Sequence, residues 1–259
     1  VIRAGLRVLL LALLSAVAAP VALVVWLVTF GSGAARARTG PFLHRWFSRC
    51  VCAILGVRVE ATGEPPRGAC LVTPNHWGYV DVFVLGSLYR SLFVSRADVA
   101  RWPVAGAFAR AGGTLFLRRE VRRDAVRVGA DVERHLRLGC RVTVFLEGGA
   151  GDGVSVRPFK SALVAAAVAA RAPCVPAAIS YSLPADPDMD PSRVVAWATG
   201  DLLPHVGRLL TTRRIAAKVA FLPPRTGADR KHLARELEAD VRDALTSTGR
   251  TPDPSACTR

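Results

Sequence analysis

Between residues 75 and 81 the chain reads Asn75-His76-Trp77-Gly78-Tyr79-Val80-Asp81. The segment follows the strand-like CLVTP and opens the helix-like VDVFVLGSLYR, and a strand-to-helix turn at a sheet edge is where α/β proteins commonly place ligands. An imidazole held by a carboxylate is a competent general base, because the carboxylate fixes the tautomer and stabilises the imidazolium formed when a hydroxyl gives up its proton. Five residues apart across a turn into a helix, His76 and Asp81 can meet. Taken alone the pair is equally well read as a structural arrangement, with Asp81 capping the helix.

Three later segments carry groups of the kind such a base works with. Gly113-Thr114-Leu115-Phe116-Leu117-Arg118-Arg119 ends an apolar run on two cations, which read equally as solvated charges at a strand end. Phe145-Leu146-Glu147-Gly148-Gly149 opens a Gly-rich stretch directly after VTVFL. Exposed backbone N–H groups there can bind an anion or an oxyanion, or the stretch is a flexible turn. Pro158-Phe159-Lys160 follows, with Lys160 readable as a solvated helix-start residue, and Val175-Pro176-Ala177 places a proline that would suit a sheet edge.

The elements that must position these residues alternate in type. VRVEAT, CLVTPN, SLFVS, TLFLR, VTVFLE, VPAAISY, RVVAWA and AKVAFL read as strands, with helical patterns between several of them. The expected fold is α/β, a mostly parallel or mixed central sheet flanked by helices, with a membrane-associated helical segment before it. That segment runs uncharged from Val8 to Phe30, long enough to cross a membrane. A signal peptide is the competing reading, since Arg3 and Arg7 precede the run and Ala16-Val17-Ala18 resembles a cleavage site, although signal cores are shorter. Pro20 leaves a kinked or re-entrant helix as open as a straight span. After a loop, GSGAARARTGP, the spacing of Leu43, Phe47, Val51 and Leu55 predicts a short helix lying in the interface or on the core. The division expected is a membrane-anchoring segment over 1–56, a catalytic domain over 57–248 and a disordered tail over 249–259.

Composition narrows the partners. The 259 residues carry 35 Lys and Arg against 20 Asp and Glu, a formal charge of +15, with a 51% hydrophobic content. The charge seeks anions, and the apolar content favours lipid headgroups over nucleic acid, for which no recognition motif is present. Six cysteines without a C-x-x-C pair or nearby paired histidines argue against a metal site and fit a reducing compartment. A hydrolase would need a nucleophile, and no G-x-S-x-G elbow occurs.

N-H-x-x-x-x-D at residues 75–81, followed in order by the Gly113–Arg119, Phe145–Gly149 and Val175–Ala177 segments, resembles the glycerolipid acyltransferases, the family of the lysophosphatidic acid acyltransferases, over roughly residues 70 to 180. The resemblance implies an O-acyltransferase that uses acyl-CoA or acyl-ACP as co-substrate and a lysolipid as acceptor, without metal or redox cofactor. It implies His76 and Asp81 as the catalytic pair, and Asn75, Arg119, Glu147, Gly148, Gly149, Lys160 and Pro176 around the substrates. With arginines flanking the apolar segment, the expected location is the inner membrane with the catalytic domain on the cytoplasmic face. Departures bear on the acceptor: Leu146, Gly149 and Ala150 stand where phosphatidic acid-forming members carry Pro, Thr and Arg. The run EGGAGDGVSVRPFKSAL, Trp197-Ala198-Thr199-Gly200-Asp201 and the helix from about Asp229 resemble members assigned to lyso-ornithine lipid or other lysophospholipid acylation. A catalytically impaired lipid-binding member is the alternative.

Overall fold

The computed structural model describes residues 2–102, 105–198 and 200–247; the expected tail over 249–259 and Thr199 lie outside the described residues. Two helices, α1 (Ile2–Val28) and α2 (Gly33–Leu55), precede β1 (Val57–Thr62), β2 (Cys70–Pro74), α3 (Val80–Leu88) and β3 (Leu92–Arg96). A 3-10 turn (Ala97–Arg101) leads to α4 (Ala105–Ala111), β4 (Leu115–Leu117), α5 (Arg122–Arg137), β5 (Arg141–Thr143) and α6 (Val164–Ala170). The chain finishes through β6 (Cys174–Ser182), α7 (Ser192–Val195), α8 (Leu202–Thr211), β7 (Ile215–Phe221) and α9 (Arg230–Ser247).

The strands form one seven-stranded sheet in the order β1-β7-β6-β2-β5-β3-β4. Every adjacent pair is parallel except β6 with β7, which pair antiparallel from Ala177 opposite Phe221 to Ser182 opposite Ala216. The fold is therefore α/β with a mostly parallel sheet, as expected. Side chains alternate across it with the two-residue period of a strand. Cys70 and Val72 join a core with α2, α3, α7 and α8 on one face, while Leu71 joins α5, α6 and α9 on the other. Val128, Val132 and Leu136, one helical turn apart, are the buried stripe of α5.

Two expectations need correction. RVVAWA is not a strand: Ser192–Val195 form a helical turn, and Pro191 and Asp190 immediately before it favour turn initiation over extension. GSGAARARTGP is not a loop, because α2 already begins at Gly33, where the Ser32 hydroxyl accepts the Ala35 N–H at 3.2 Å. The helix continues through Pro41 and packs its glycine face so closely on α4 that a Cβ on Gly40 would fall 2.6 Å from the Ala111 carbonyl. Its last turns, through Val51, Cys52 and Leu55, belong to the same core as the sheet.

Helix α1 runs unbroken through Pro20 and is long and apolar enough to cross a membrane. Its beginning is fastened to the domain. The buried Arg7 guanidinium donates to the carbonyls of Leu209, Leu210 and Thr212 at 3.2, 3.0 and 2.6 Å. These carbonyls close α8, where helix acceptors lack partners and the helix dipole is negative. The same guanidinium lies over Gly56, where a Cβ would fall 2.6 Å from Nη2 and whose φ of +72° caps α2.

Candidate active site

The parallel strands deliver the site. β2 ends at Pro74 and the chain turns through residues 75–79 into α3, setting His76 and Asp81 at the carboxyl end of the strand. The His76 Nδ1 lies 2.8 Å from Asp81 Oδ2. That same oxygen accepts the Trp77 N–H at 2.6 Å and the Gly78 N–H at 3.0 Å, and Oδ1 accepts the Tyr181 hydroxyl at 2.6 Å. Asp81 therefore braces the turn that precedes α3 and does not cap the helix, whose N-cap position is Tyr79. Asp81 is fully buried, which costs a carboxylate several kcal/mol. Four hydrogen bonds at about 1.5–3 kcal/mol each are of the size needed to offset that.

Tyr181, which donates to Asp81, is a residue of this site that the sequence reading missed. Burial, then the Asp81 charge and their hydrogen bond, hold its phenol well above the usual tyrosine range, so the O–H stays a donor. Its only sequence signal is a hydroxyl-bearing aromatic in an apolar strand, which when buried needs a partner.

The imidazole is fixed on its other sides. Its ring stacks on Phe145 with centroids 3.8 Å apart and planes 19° from parallel. The backbone is clamped as well: the His76 N–H donates to Glu147 Oε1 at 2.7 Å, and its carbonyl accepts the Gly151 N–H at 2.7 Å. With Nδ1 committed to Asp81, Nε2 has no protein partner among the described residues and is the nitrogen left for a substrate.

Glu147 is turned inward, onto backbone. Its second oxygen accepts the Arg157 N–H at 3.1 Å, with the Arg157 guanidinium 3.6 Å away. Burial pushes its carboxyl from 4.5 up to about 7, against the pull of the two backbone N–H groups and Arg157. Asn75 is likewise committed to the scaffold, its amide spanning Ile179 by a donated bond of 3.0 Å and an accepted one of 2.7 Å. It positions the turn that carries His76.

Arginines hold the glycine loop from outside. Arg119, from beyond β4, donates to the Gly148 carbonyl. Arg157 donates to the Gly149 carbonyl and, at 2.9 Å, to that of Ala150. Gly148 has a φ of +77°, and a Cβ there would fall 2.6 Å from Lys160 Nζ, so Lys160 and Arg119 flank one glycine. A Cβ on Gly149 would come within 3.0 Å of Arg157. Arg157, placed seven residues beyond the alanine that replaces the expected arginine, had gone unnoticed in the sequence. Gly153, with a φ of +78°, lies flat on the Trp77 ring, where a Cβ would fall 2.3 Å from the indole.

Pro176 sits in β6, an interior strand, not at a sheet edge. Between Ala177 opposite Phe221 and Cys174 opposite Arg225 the register gains one residue on the β7 side, a bulge. The missing proline N–H therefore interrupts no ladder bond, and the Pro176 carbonyl accepts the Leu222 N–H at 3.0 Å.

The comparisons bear on what this arrangement belongs to. A family model described as Acyltransferase matches residues 56–180. A lyso-ornithine lipid O-acyltransferase of Pseudomonas aeruginosa is 36% identical, over 80% of this chain and 79% of its own length. One of Rhodobacter capsulatus is 37% identical, over 76% and 73%. A 1-acyl-sn-glycerol-3-phosphate acyltransferase of Neisseria gonorrhoeae is 29% identical, over 69% and 70%. In fold, the crystal structure of the 1-acyl-sn-glycerophosphate acyltransferase PlsC of Thermotoga maritima superposes with a TM-score of 0.63 at 17% identity, covering 95% of this chain and 98% of that one. With relatives this similar over most of both chains, and with the dyad standing inside the matched segment, the chain belongs to the acyltransferase family and is an acyltransferase.

Proposed function

We propose that the enzyme transfers a fatty acyl chain from acyl-CoA or acyl-ACP to the free hydroxyl of a lysolipid, with lyso-ornithine lipid its preferred acceptor. The observation that carries the chemistry is the His76–Asp81 contact of 2.8 Å, which leaves Nε2 as the basic face. Nε2 takes the acceptor's hydroxyl proton as the oxygen forms a bond to the thioester carbonyl carbon. Collapse of the tetrahedral intermediate breaks the C–S bond, and the departing thiolate takes the proton back from the imidazolium. General-base assistance contributes about 10²–10⁴-fold, the remainder coming from positioning and oxyanion stabilisation.

Support for the acceptor comes from the two relatives of 36% and 37% identity, both named lyso-ornithine lipid O-acyltransferases, and from Ala150 in the loop. Arg119 and Lys160, beside Gly148, are the cations on which the acceptor's carboxylate would rest. Residues 57–248 form the catalytic part in this reading, and residues 1–56 hold it at the cytoplasmic face of the inner membrane.

The test incubates detergent-solubilised protein and its His76→Ala variant with labelled palmitoyl-CoA or palmitoyl-ACP, over lyso-ornithine lipid, lysophosphatidic acid and other lysophospholipids. Diacylation of lyso-ornithine lipid in preference to the others, by the wild type only, is expected. Preference for another lysolipid overturns the acceptor, and failure of every pairing with folded protein moves the impaired lipid-binding reading to the front.

A further inference from the structure

At the opposite end of the sheet from His76, four arginines converge on one cavity. Arg45 comes from α2, Arg67 from the loop before β2, Arg90 from the turn before β3 and Arg141 from the start of β5. The cavity measures about 320 Å³, and among the described residues no carboxylate lines it. Like charges drawn together from four separate elements repel, and a fold that keeps them there without a counter-charge leaves a deficit for a ligand to fill.

The arginines are not spent on each other's surroundings. Arg141 gives one N–H to the Pro66 carbonyl at 2.9 Å. Arg90 sits over the Phe42 ring, its guanidinium carbon 3.6 Å from the centroid, a contact with the ring face that uses none of its N–H groups as hydrogen-bond donors. The Arg45 Nε is buried with no hydrogen-bond partner among the described residues, a condition that is unfavourable until an acceptor arrives. Burial, followed by the charges of Arg49, Arg90 and Arg141, makes Arg45 hold its proton less tightly than a free arginine. No acid is among those influences.

We propose that this arginine cavity binds a phosphate group, at a site separate from the catalytic dyad. Guanidinium forks match phosphate oxygens with paired hydrogen bonds, and several around one cavity suit a group with three or four such oxygens. The phosphate can belong to an anionic lipid headgroup or to a soluble molecule. Exposed Phe42 and Trp46 on the same helix as Arg45 place apolar rings beside the site, an arrangement suited to a lipid.

The test uses full-length protein in detergent, titrated calorimetrically with sodium phosphate, coenzyme A, dihexanoyl phosphatidylglycerol and dihexanoyl phosphatidylcholine, each at constant ionic strength. Wild type is compared with the Arg67→Glu/Arg90→Glu double variant and the milder Arg45→Gln, with folding checked by circular dichroism and acyl transfer measured without added phosphate. The expected result is saturable binding of at least one phosphate-bearing anion that weakens about tenfold or more in the double variant, with acyl transfer within about twofold of wild type. Among ligands whose binding weakens in the double variant, phosphatidylglycerol alone names a lipid headgroup, and phosphate or coenzyme A without it names a soluble ligand. Equal affinity in wild type and folded variants, or phosphatidylcholine binding as tightly as phosphatidylglycerol, overturns the proposal.

Discussion

Two buried carboxylates lie one hydrogen bond from His76, and they are used in opposite ways. Asp81 touches the imidazole itself and gathers three further donors, two backbone N–H groups and the Tyr181 hydroxyl. Glu147 does not reach the ring: it bridges the His76 N–H to the Arg157 N–H across the loop, with the Arg157 guanidinium 3.6 Å away. Donor number marks the difference. With two backbone donors Glu147 is left under-compensated, and its carboxyl rises to about 7. Asp81 is therefore the carboxylate in contact with the imidazole, and Glu147 is part of the frame that holds the turn carrying it.

The sharpest way to break that distinction is Asp81→Asn. The amide keeps the shape but carries no charge to stabilise the imidazolium, and one of its two ends becomes a donor where Asp81 only accepted, so kcat should fall about 10²–10⁴-fold with KM little changed. A loss under tenfold in steady-state kinetics would leave Asp81 only a structural brace of the turn.

Glu147→Gln should cost far less activity, about tenfold in kcat, and should show itself in stability. The folded carboxyl titrates at about 7 against an ordinary 4.5, so the folded state holds the proton more tightly. The stabilisation linked to it is complete below about pH 4.5 and is lost as pH rises to about 7, a change on the order of 3 kcal/mol. Urea unfolding of the wild type should therefore weaken from pH 5 to pH 8 more than that of Glu147→Gln. Parallel pH dependences would show that Glu147 does not titrate in this range.

The smallest effect belongs to Tyr181→Phe, which removes one of four donors to Asp81. A three- to tenfold fall in kcat at unchanged KM is expected, from the loss of one hydrogen bond to a charged group. No change in kcat would mean that the remaining three donors suffice to hold the carboxylate.

The sequence made the dyad legible because its two members lie five residues apart within one turn. The strands of the parallel sheet were legible through their β-branched runs and period-two burial. What it concealed depends on distance along the chain. Tyr181 reaches Asp81 across 100 residues and Asn75 reaches Ile179 across 104, and no local pattern announces either. RVVAWA has the composition of a strand, yet the Trp197 N–H donates to the Trp77 carbonyl at 2.8 Å, lending its backbone to the catalytic turn. The early start of α2 escaped because Gly33 and Pro41 read as loop residues, whereas Ser32 and the close contact of Gly40 on α4 make that stretch helical.

The Arg7 clamp has a consequence for the enzyme's response to bilayer thickness. The uncharged part of α1, Val8–Val28, is about 31 Å long and matches the roughly 30 Å of hydrocarbon it would cross, so a thinner bilayer would have to be met by tilting. A flexible tether would absorb that tilt. Here the Arg7 guanidinium holds the helix to α8 and to the end of α2, and Ala18 and Ala22 pack it on α2 and α4, so in a bilayer the rest of the chain would have to lean with it. Membrane thickness would then set the height and angle at which the mouth of the site meets its lipid.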